Sequence, residues 1–299
     1  MQKTTTQNID LLIYLRGLFQ LMKPRVMSLV IFTCVVGLLI APQEISFLNA
    51  SLSLIAVALG AGAAGTLNMW YEADLDAVMT RTCLRPIPSG TVTKNQALIF
   101  GITTSLISVV ALYFFSNLVS AITLATTILF YVVIYTIWLK RKTPQNIVIG
   151  GAAGALPPVI GWSIATGNIS LEPILLFLII FFWTPSHFWA LSLYKSDDYK
   201  KANIPMLPVT AGIRTTKINI FVYSIILFAV ALTPFIFSYS GIIYFLLAFI
   251  IGCYYVYLCS KLLIEKRIEL EKILAKKIFF FSILYLFLIF TTILLDNII

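Results

Sequence analysis

Nine stretches of this chain are apolar and long enough to cross a bilayer, and that recurrence restricts the fold more than any other feature. They run roughly over residues 26–42, 49–71, 95–115, 117–139, 146–166, 171–193, 217–239, 241–263 and 277–296. A hydrocarbon core calls for about 20 such residues per helix. With no water inside the bilayer, a spanning segment must satisfy its own backbone, as a helix or in a closed barrel. These runs are continuously apolar without strict alternation, which selects helices. Only 11% of the residues are charged, against 60% hydrophobic, where soluble domains carry about 25% charge. The expected fold is an all-α polytopic membrane protein with nine transmembrane helices.

The basic residues orient the map. All 21 Lys and Arg fall before span 1 or in the connections 2–3, 4–5, 6–7 and 8–9. The positive-inside rule makes these cytoplasmic, with the N-terminus inside and the C-terminus outside. The net charge of +9 is therefore read as topology and not as nucleic-acid binding. Residues 9–22, "IDLLIYLRGLFQLM", read as an amphipathic helix on the membrane surface. The chain divides into a cytoplasmic arm, 1–25, and one nine-helix domain, 26–299. The start resembles neither a cleaved signal nor a transit peptide, which favours a bacterial plasma (inner) membrane. The four cysteines show no CxxC pairing and are assigned no disulfide or metal. Residues 261–277, with mixed charges at helical spacing, read as a solvated extension of spans 8 and 9.

Acidic residues are scarce, twelve in all, yet five sit in two cytoplasmic loops four spans apart. Because four is even, both loops reach the same face, as in a weak parallel repeat. In "NMWYEADLDAVMTRTCLRP", residues 68–86, Asn68, Glu72 and Asp76 recur every fourth residue. Each step drifts only about 40° around a helix, so the three form one stripe and Asp74 points away. Hard oxygen ligands suit Mg²⁺, which takes one or two carboxylates and completes its shell with phosphate and water. Arg81 and Arg85 supply forked donors for phosphate oxygens. The second loop, "YKSDDYKKANIPMLP" at 194–208, sets Asp197 and Asp198 among Lys195, Lys200 and Lys201. Taken singly, either loop also fits a plain polar segment at a membrane edge. Together they favour a magnesium-diphosphate site.

His187, the lone histidine, lies near the cytoplasmic end of span 6. Intramembrane ionisable residues are functional candidates; a haem ligand, a proton acceptor and a packing histidine all stay open. Span 5, "NIVIGGAAGALPPVIGW", is rich in small residues and broken by Pro157-Pro158. It reads as a close-packing surface or as the wall of a cavity for a bulky lipophilic substrate.

These motifs resemble the intramembrane aromatic prenyltransferase superfamily. Its N-x-x-x-D-x-x-x-D pattern followed by R-T-x-x-R-P is similar to Asn68, Glu72, Asp76, Arg81, Thr82, Arg85 and Pro86, with Glu72 where Asp is usual. Its K-P-R opening of span 1 is similar to Lys23-Pro24-Arg25. Residues 68–82, 135–162 and 183–209 resemble the branch that prenylates haem, where His187 stands in place of an Asp. The resemblance implies nine helices around a central cavity. It also implies transfer of a farnesyl group from farnesyl diphosphate to the 2-vinyl group of haem B, with addition of water. It assigns Mg²⁺ to Asn68, Glu72, Asp76, Asp197 and Asp198, and the diphosphate to Arg25, Arg81, Arg85, Lys195, Lys200 and Lys201. His187 would position haem or accept a proton. The product would pass to a haem-modifying enzyme or an oxidase assembly factor. Two other readings fit the residues less well: a prenyltransferase for a phenolic or quinone-precursor acceptor, and a membrane transporter.

Overall fold

The computed structural model describes the backbone of residues 2–201 and 204–298, and the side chains of residues 11–196, 198–201 and 204–297. Every regular element among them is helical. The elements are α1 (Gln2–Leu21), α2 (Pro24–Leu39), α3 (Phe47–Tyr71), α4 (Ala73–Val78), α5 (Lys94–Phe115) and α6 (Leu118–Leu129), which continues as a π-helix (Phe130–Leu139). Then follow α7 (Asn146–Ala155), α8 (Pro157–Thr166), α9 (Leu171–Tyr194), α10 (Ser196–Lys201), α11 (Leu207–Thr210), α12 (Gly212–Ala231), α13 (Thr233–Ile236), α14 (Ile242–Ile264) and α15 (Ile268–Ile298).

Among the described residues, eight helices are long and apolar enough to span a membrane. The count becomes nine when Pro24–Leu39 is taken with Leu11–Leu21, from which it turns by 47°, as one bent pair. The bend falls at Lys23, whose φ of 53° and ψ of 54° are left-handed. Pro24 follows it at the first position of α2, where a missing N–H costs nothing. Span 5 is likewise two helices, α7 and α8, meeting at Leu156 before Pro157-Pro158. Helix starts elsewhere are capped by their own side chains: Thr93 and Gln96 form a reciprocal capping box on α5, and Asn117 accepts from the Ser120 N–H on α6. Such caps satisfy donors that a helix end leaves free.

Two large apolar cores stand out among the described residues. One gathers α9, α12, α14 and α15 around Tyr244, Tyr255, Tyr285 and Phe290, all fully buried. The other joins α2, α3, α5, α6 and α8 around Cys34, Leu112, Leu124 and Ile160. The small residues of span 5 serve packing. A side chain on Gly161 would lie 1.9 Å from the Cys34 carbonyl oxygen, and one on Gly37 would lie 2.1 Å from that of Pro158. Helices α2 and α8 thus cross with their backbones in contact. Gly150 likewise receives the Tyr135 ring, whereas Gly154 faces open space.

The segment joining the last two spans is less solvated than its charges suggest. Glu271, on the first turn of α15, is buried and paired with buried Lys217 of α12. Lys217 Nζ also donates to the Glu265 carbonyl at 2.8 Å. Breaking one half of a buried pair strands the other charge, at about 3–5 kcal/mol. Lys217→Met should therefore lower the unfolding temperature in detergent markedly, and Lys217→Met with Glu271→Leu should recover most of the loss. Equal unfolding temperatures for the single variant and the wild type would show that the clasp contributes nothing.

Candidate active site

The first acidic motif sits where α3 gives way to α4, and the helical ladder runs through the joint. The Glu72 N–H donates to the Asn68 carbonyl at 3.0 Å, and the Asp76 N–H to the Glu72 carbonyl at 2.8 Å. Register is thereby kept from Asn68 to Asp76. Asn68, Glu72 and Asp76 are 2–3% exposed, while the Asp74 side chain is 59% exposed. One face of the joint is buried and polar; the other meets solvent.

Each acid has its own base. Arg85 Nη1 donates to both Asp76 carboxylate oxygens at 2.8 Å, and Thr82 Oγ1 closes the intervening turn onto the Asp76 carbonyl at 3.0 Å. Lys140 Nζ lies 2.5 and 2.6 Å from the two Glu72 oxygens, with hydrogen-bonding geometry to Oε2 alone. Glu72 Oε1 is thus held by the ion pair alone. Lys23 Nζ, brought in by its left-handed backbone, donates to Asn68 Oδ1 at 2.6 Å. Outside the stripe, Arg141 grips Asp74 at 2.8 and 3.0 Å and holds its carboxyl below the usual carboxylate range.

The π-helix places two of these contacts. In its wide register the Thr136 hydroxyl donates to the Tyr131 carbonyl, five residues back, at 2.8 Å. The same hydroxyl accepts from Asn68 Nδ2 at 3.1 Å. The Lys140 N–H likewise donates five residues back, to Tyr135, at 2.9 Å. Lys23, Lys140 and Thr136 are given no role in the site by the motifs. A trace of them exists in the sequence: Lys23 opens "KPR", and Lys140 leads the basic run "KRK" that otherwise reads only as topology.

The second loop packs onto the first through an apolar cluster. Leu75 and Met79 meet Tyr199, Ile204 and Met206, with Ile147 of α7 and Phe188 of α9. Asp198 is half-buried on α10, with Lys195, Lys200 and Lys201 exposed beside it. The Asp197 side chain lies outside the described residues. Arg25 and Arg81 are exposed, and neither side chain makes a hydrogen bond or ion pair to the buried stripe among the described residues. The structure therefore gathers Asn68, Glu72, Asp76 and Arg85, and sets Asp198 on a neighbouring loop.

The donor set is compatible with magnesium. Among the described residues, no three His, Cys, Asp or Glu side chains converge as a ready cage. Mg²⁺ does not need one: one or two carboxylates suffice when phosphate oxygens and water complete the shell. Glu72 and Asp76 are two buried carboxylates, and Asn68 adds an amide oxygen, a donor set of hard oxygens that suits this ion.

His187 lies on α9 in an aromatic slot. Trp183 stacks on it at 4.2 Å and Phe279 at 4.5 Å between ring centres. Its Nδ1 is 2.7 Å from the Ser282 hydroxyl of α15.

Compared with known proteins, the sequence matches the UbiA prenyltransferase family over residues 30–291. It is 64% identical to the protoheme IX farnesyltransferase of Pelagibacter ubique (strain HTCC1062), over 94% of this chain and 93% of that protein. It is 52% identical to protoheme IX farnesyltransferase 2 of Mesorhizobium japonicum, over 94% and 90%. Among solved structures, a digeranylgeranylglyceryl phosphate synthase superposes with a TM-score of 0.78 at 20% identity, covering 95% of this chain and 99% of that one. A UbiA homologue from Archaeoglobus fulgidus bound to GPP and Mg²⁺ superposes with 0.67 at 16% identity, covering 93% and 99%. At these identities the structures speak to the fold alone.

Proposed function

The chain belongs to the UbiA prenyltransferase family, and on that premise we propose that it farnesylates haem B to haem O. The farnesyl group of farnesyl diphosphate goes to the 2-vinyl group, water adds, and diphosphate leaves. The observation that carries this reading is the 64% identity to a protoheme IX farnesyltransferase along nearly the whole length of both chains. The magnesium-diphosphate half has separate support in the buried stripe of Asn68, Glu72 and Asp76.

In this reading Asn68, Glu72 and Asp76, with Asp198 and Asp197 from the second loop, would hold Mg²⁺. The ion would draw charge from the departing diphosphate. Lys23, Lys140 and Arg85 are released from the acids and turn to phosphate oxygens. Arg25, Arg81, Lys195, Lys200 and Lys201 extend the positive rim that captures the diphosphate. Cations aimed in advance at developing charge are the usual large contribution to such a barrier. The apolar bundle excludes water from the allylic cation until the acceptor is in place. His187, on the wall formed by α9 and α15, meets the haem.

The basic connections put both acid-bearing loops and the N-terminus in the cytoplasm, in a bacterial inner membrane. Residues 1–25 form an arm on the single catalytic domain, 26–299. Haem O is insoluble enough that direct hand-over to the next enzyme or an assembly factor completes the scheme.

The test is the purified protein with haem B, farnesyl diphosphate and Mg²⁺, the pigment being read by mass spectrometry. Haem heavier by one farnesyl group and one hydroxyl is expected. Unchanged haem alongside prenylation of a phenolic acceptor would overturn the acceptor and leave the diphosphate site standing.

A further inference from the structure

His187 is held by a residue that neither the motifs nor the diphosphate site involves. Ser282 lies on α15, 95 residues further along the chain, and its hydroxyl is 2.7 Å from His187 Nδ1. A serine hydroxyl has one proton to give. Ser282 gives it to the Phe279 carbonyl, at 2.7 Å. The shared hydrogen bond to the imidazole must then run the other way, with Nδ1–H donating and Ser282 Oγ accepting. A neutral imidazole protonated on Nδ1 carries its lone pair on Nε2. No described residue supplies a hydrogen-bond partner to that atom.

The surroundings keep the ring in this pose. Trp183 covers one face and Phe279 the other, at interplanar angles of 19° and 25°, and Phe188 meets the ring edge-on. The Trp183 indole N–H donates to the Ser282 carbonyl at 2.7 Å, so the residue that binds the imidazole is itself tied to α9. Tyr255 of α14 adds a bond to the Ser186 hydroxyl at 2.9 Å. Trp183, Ser186, Tyr255 and Ser282 are buried with His187, and Phe188 and Phe279 are half-buried. Polar bonds between three helices in an otherwise apolar core are more than packing requires, because each polar group there costs free energy unless it is matched.

We propose that Ser282 is a positioning residue that fixes His187 as the Nδ1–H tautomer, so that Nε2 presents its lone pair to the iron of the haem acceptor. A hydrogen bond from the far nitrogen orients a metal-binding imidazole and raises its basicity, and losing such a partner weakens binding by about 10- to 100-fold. The iron-binding half of the proposal rests on the haem reading above; the tautomer does not.

Because the chain has one histidine, ¹⁵N-histidine NMR of the wild-type protein in lipid nanodiscs reads this ring alone. A protonated Nδ1 beside an unprotonated Nε2 is expected, and the reverse tautomer would overturn the proposal without any variant. Titration with ferric haem B then tests the ligand. The wild type should give the absorption and EPR spectra of nitrogen-ligated haem. His187→Ala should lose them and regain them with added imidazole. Ser282→Ala should bind haem at least about tenfold more weakly, with mixed ligation, and Ser282→Thr should behave as the wild type. Unchanged spectra in His187→Ala, or unchanged affinity in Ser282→Ala, would overturn the iron-binding role while leaving farnesyl transfer intact. A wild type that binds no haem would overturn the ligand together with the acceptor reading.

Discussion

Asp76→Asn should lower prenyl transfer by about a thousand-fold, the scale of losing one preorganised charge-stabilising group, while Asp74→Asn stays within a few-fold. The two residues share a charge and are two positions apart, so composition cannot separate them. Geometry does. Asp76 is 3% exposed and gripped by Arg85; its amide would lose a metal-binding oxygen and leave the guanidinium half-satisfied. Asp74 faces solvent, where its pair with Arg141 contributes at most about 1 kcal/mol. Steady-state transfer rates at saturating Mg²⁺, for both variants at matched protein levels, make the comparison. Equal losses would mean that the stripe is not the metal face.

Gly161→Ala should leave little folded protein in the membrane. An added methyl group would stand 1.9 Å from the Cys34 carbonyl oxygen and 2.8 Å from the Leu38 nitrogen. Both atoms are backbone, so no rotamer change relieves the clash and α2 and α8 must part. Overpacking of side chains costs about 1–3 kcal/mol, and displacing a helix should exceed that range. Gly154→Ala, made in the same span where nothing lies within 4 Å, should instead be neutral or slightly stabilising, since alanine favours the helix by about 1 kcal/mol. Fluorescence-detected size exclusion and thermal unfolding would compare the two. A Gly161→Ala protein as stable as the wild type would mean the two backbones are not in contact.

What the sequence discloses here is what depends on neighbours along the chain. Apolar length sets the spans, and the four-residue spacing puts Asn68, Glu72 and Asp76 on one face because helical register is local. The partners of those acids are not local. Lys140 is 68 residues from Glu72, and Lys23 is 45 from Asn68. Each is chosen by which helices lie side by side. The break between the segment at 9–22 and the first span at 26–42 is legible, and α1 ends at Leu21 before α2 begins at Pro24; the left-handed backbone of Lys23 that turns its side chain to Asn68 has no signature in hydropathy. Glu271 reads as solvated for a similar reason: its partner, Lys217, sits two spans earlier. The Ser282–His187 bond, joining α9 to α15, is invisible until both helices are placed.

The π-helix before Lys140 turns this part of the site into a matter of counting. Regular α-helix would close each ring four residues back; here the rings close five back, as though the segment Phe130–Leu139 held surplus chain. Side-chain replacements along its lipid-facing surface leave that count untouched. Removal of a single residue would let the segment tighten into ordinary helix and swing Lys140 and Thr136 off Glu72 and Asn68 together. Evolution can therefore vary the lipid-facing side chains of this span but not its length, and the ion pairing of the site is inherited as a number of residues.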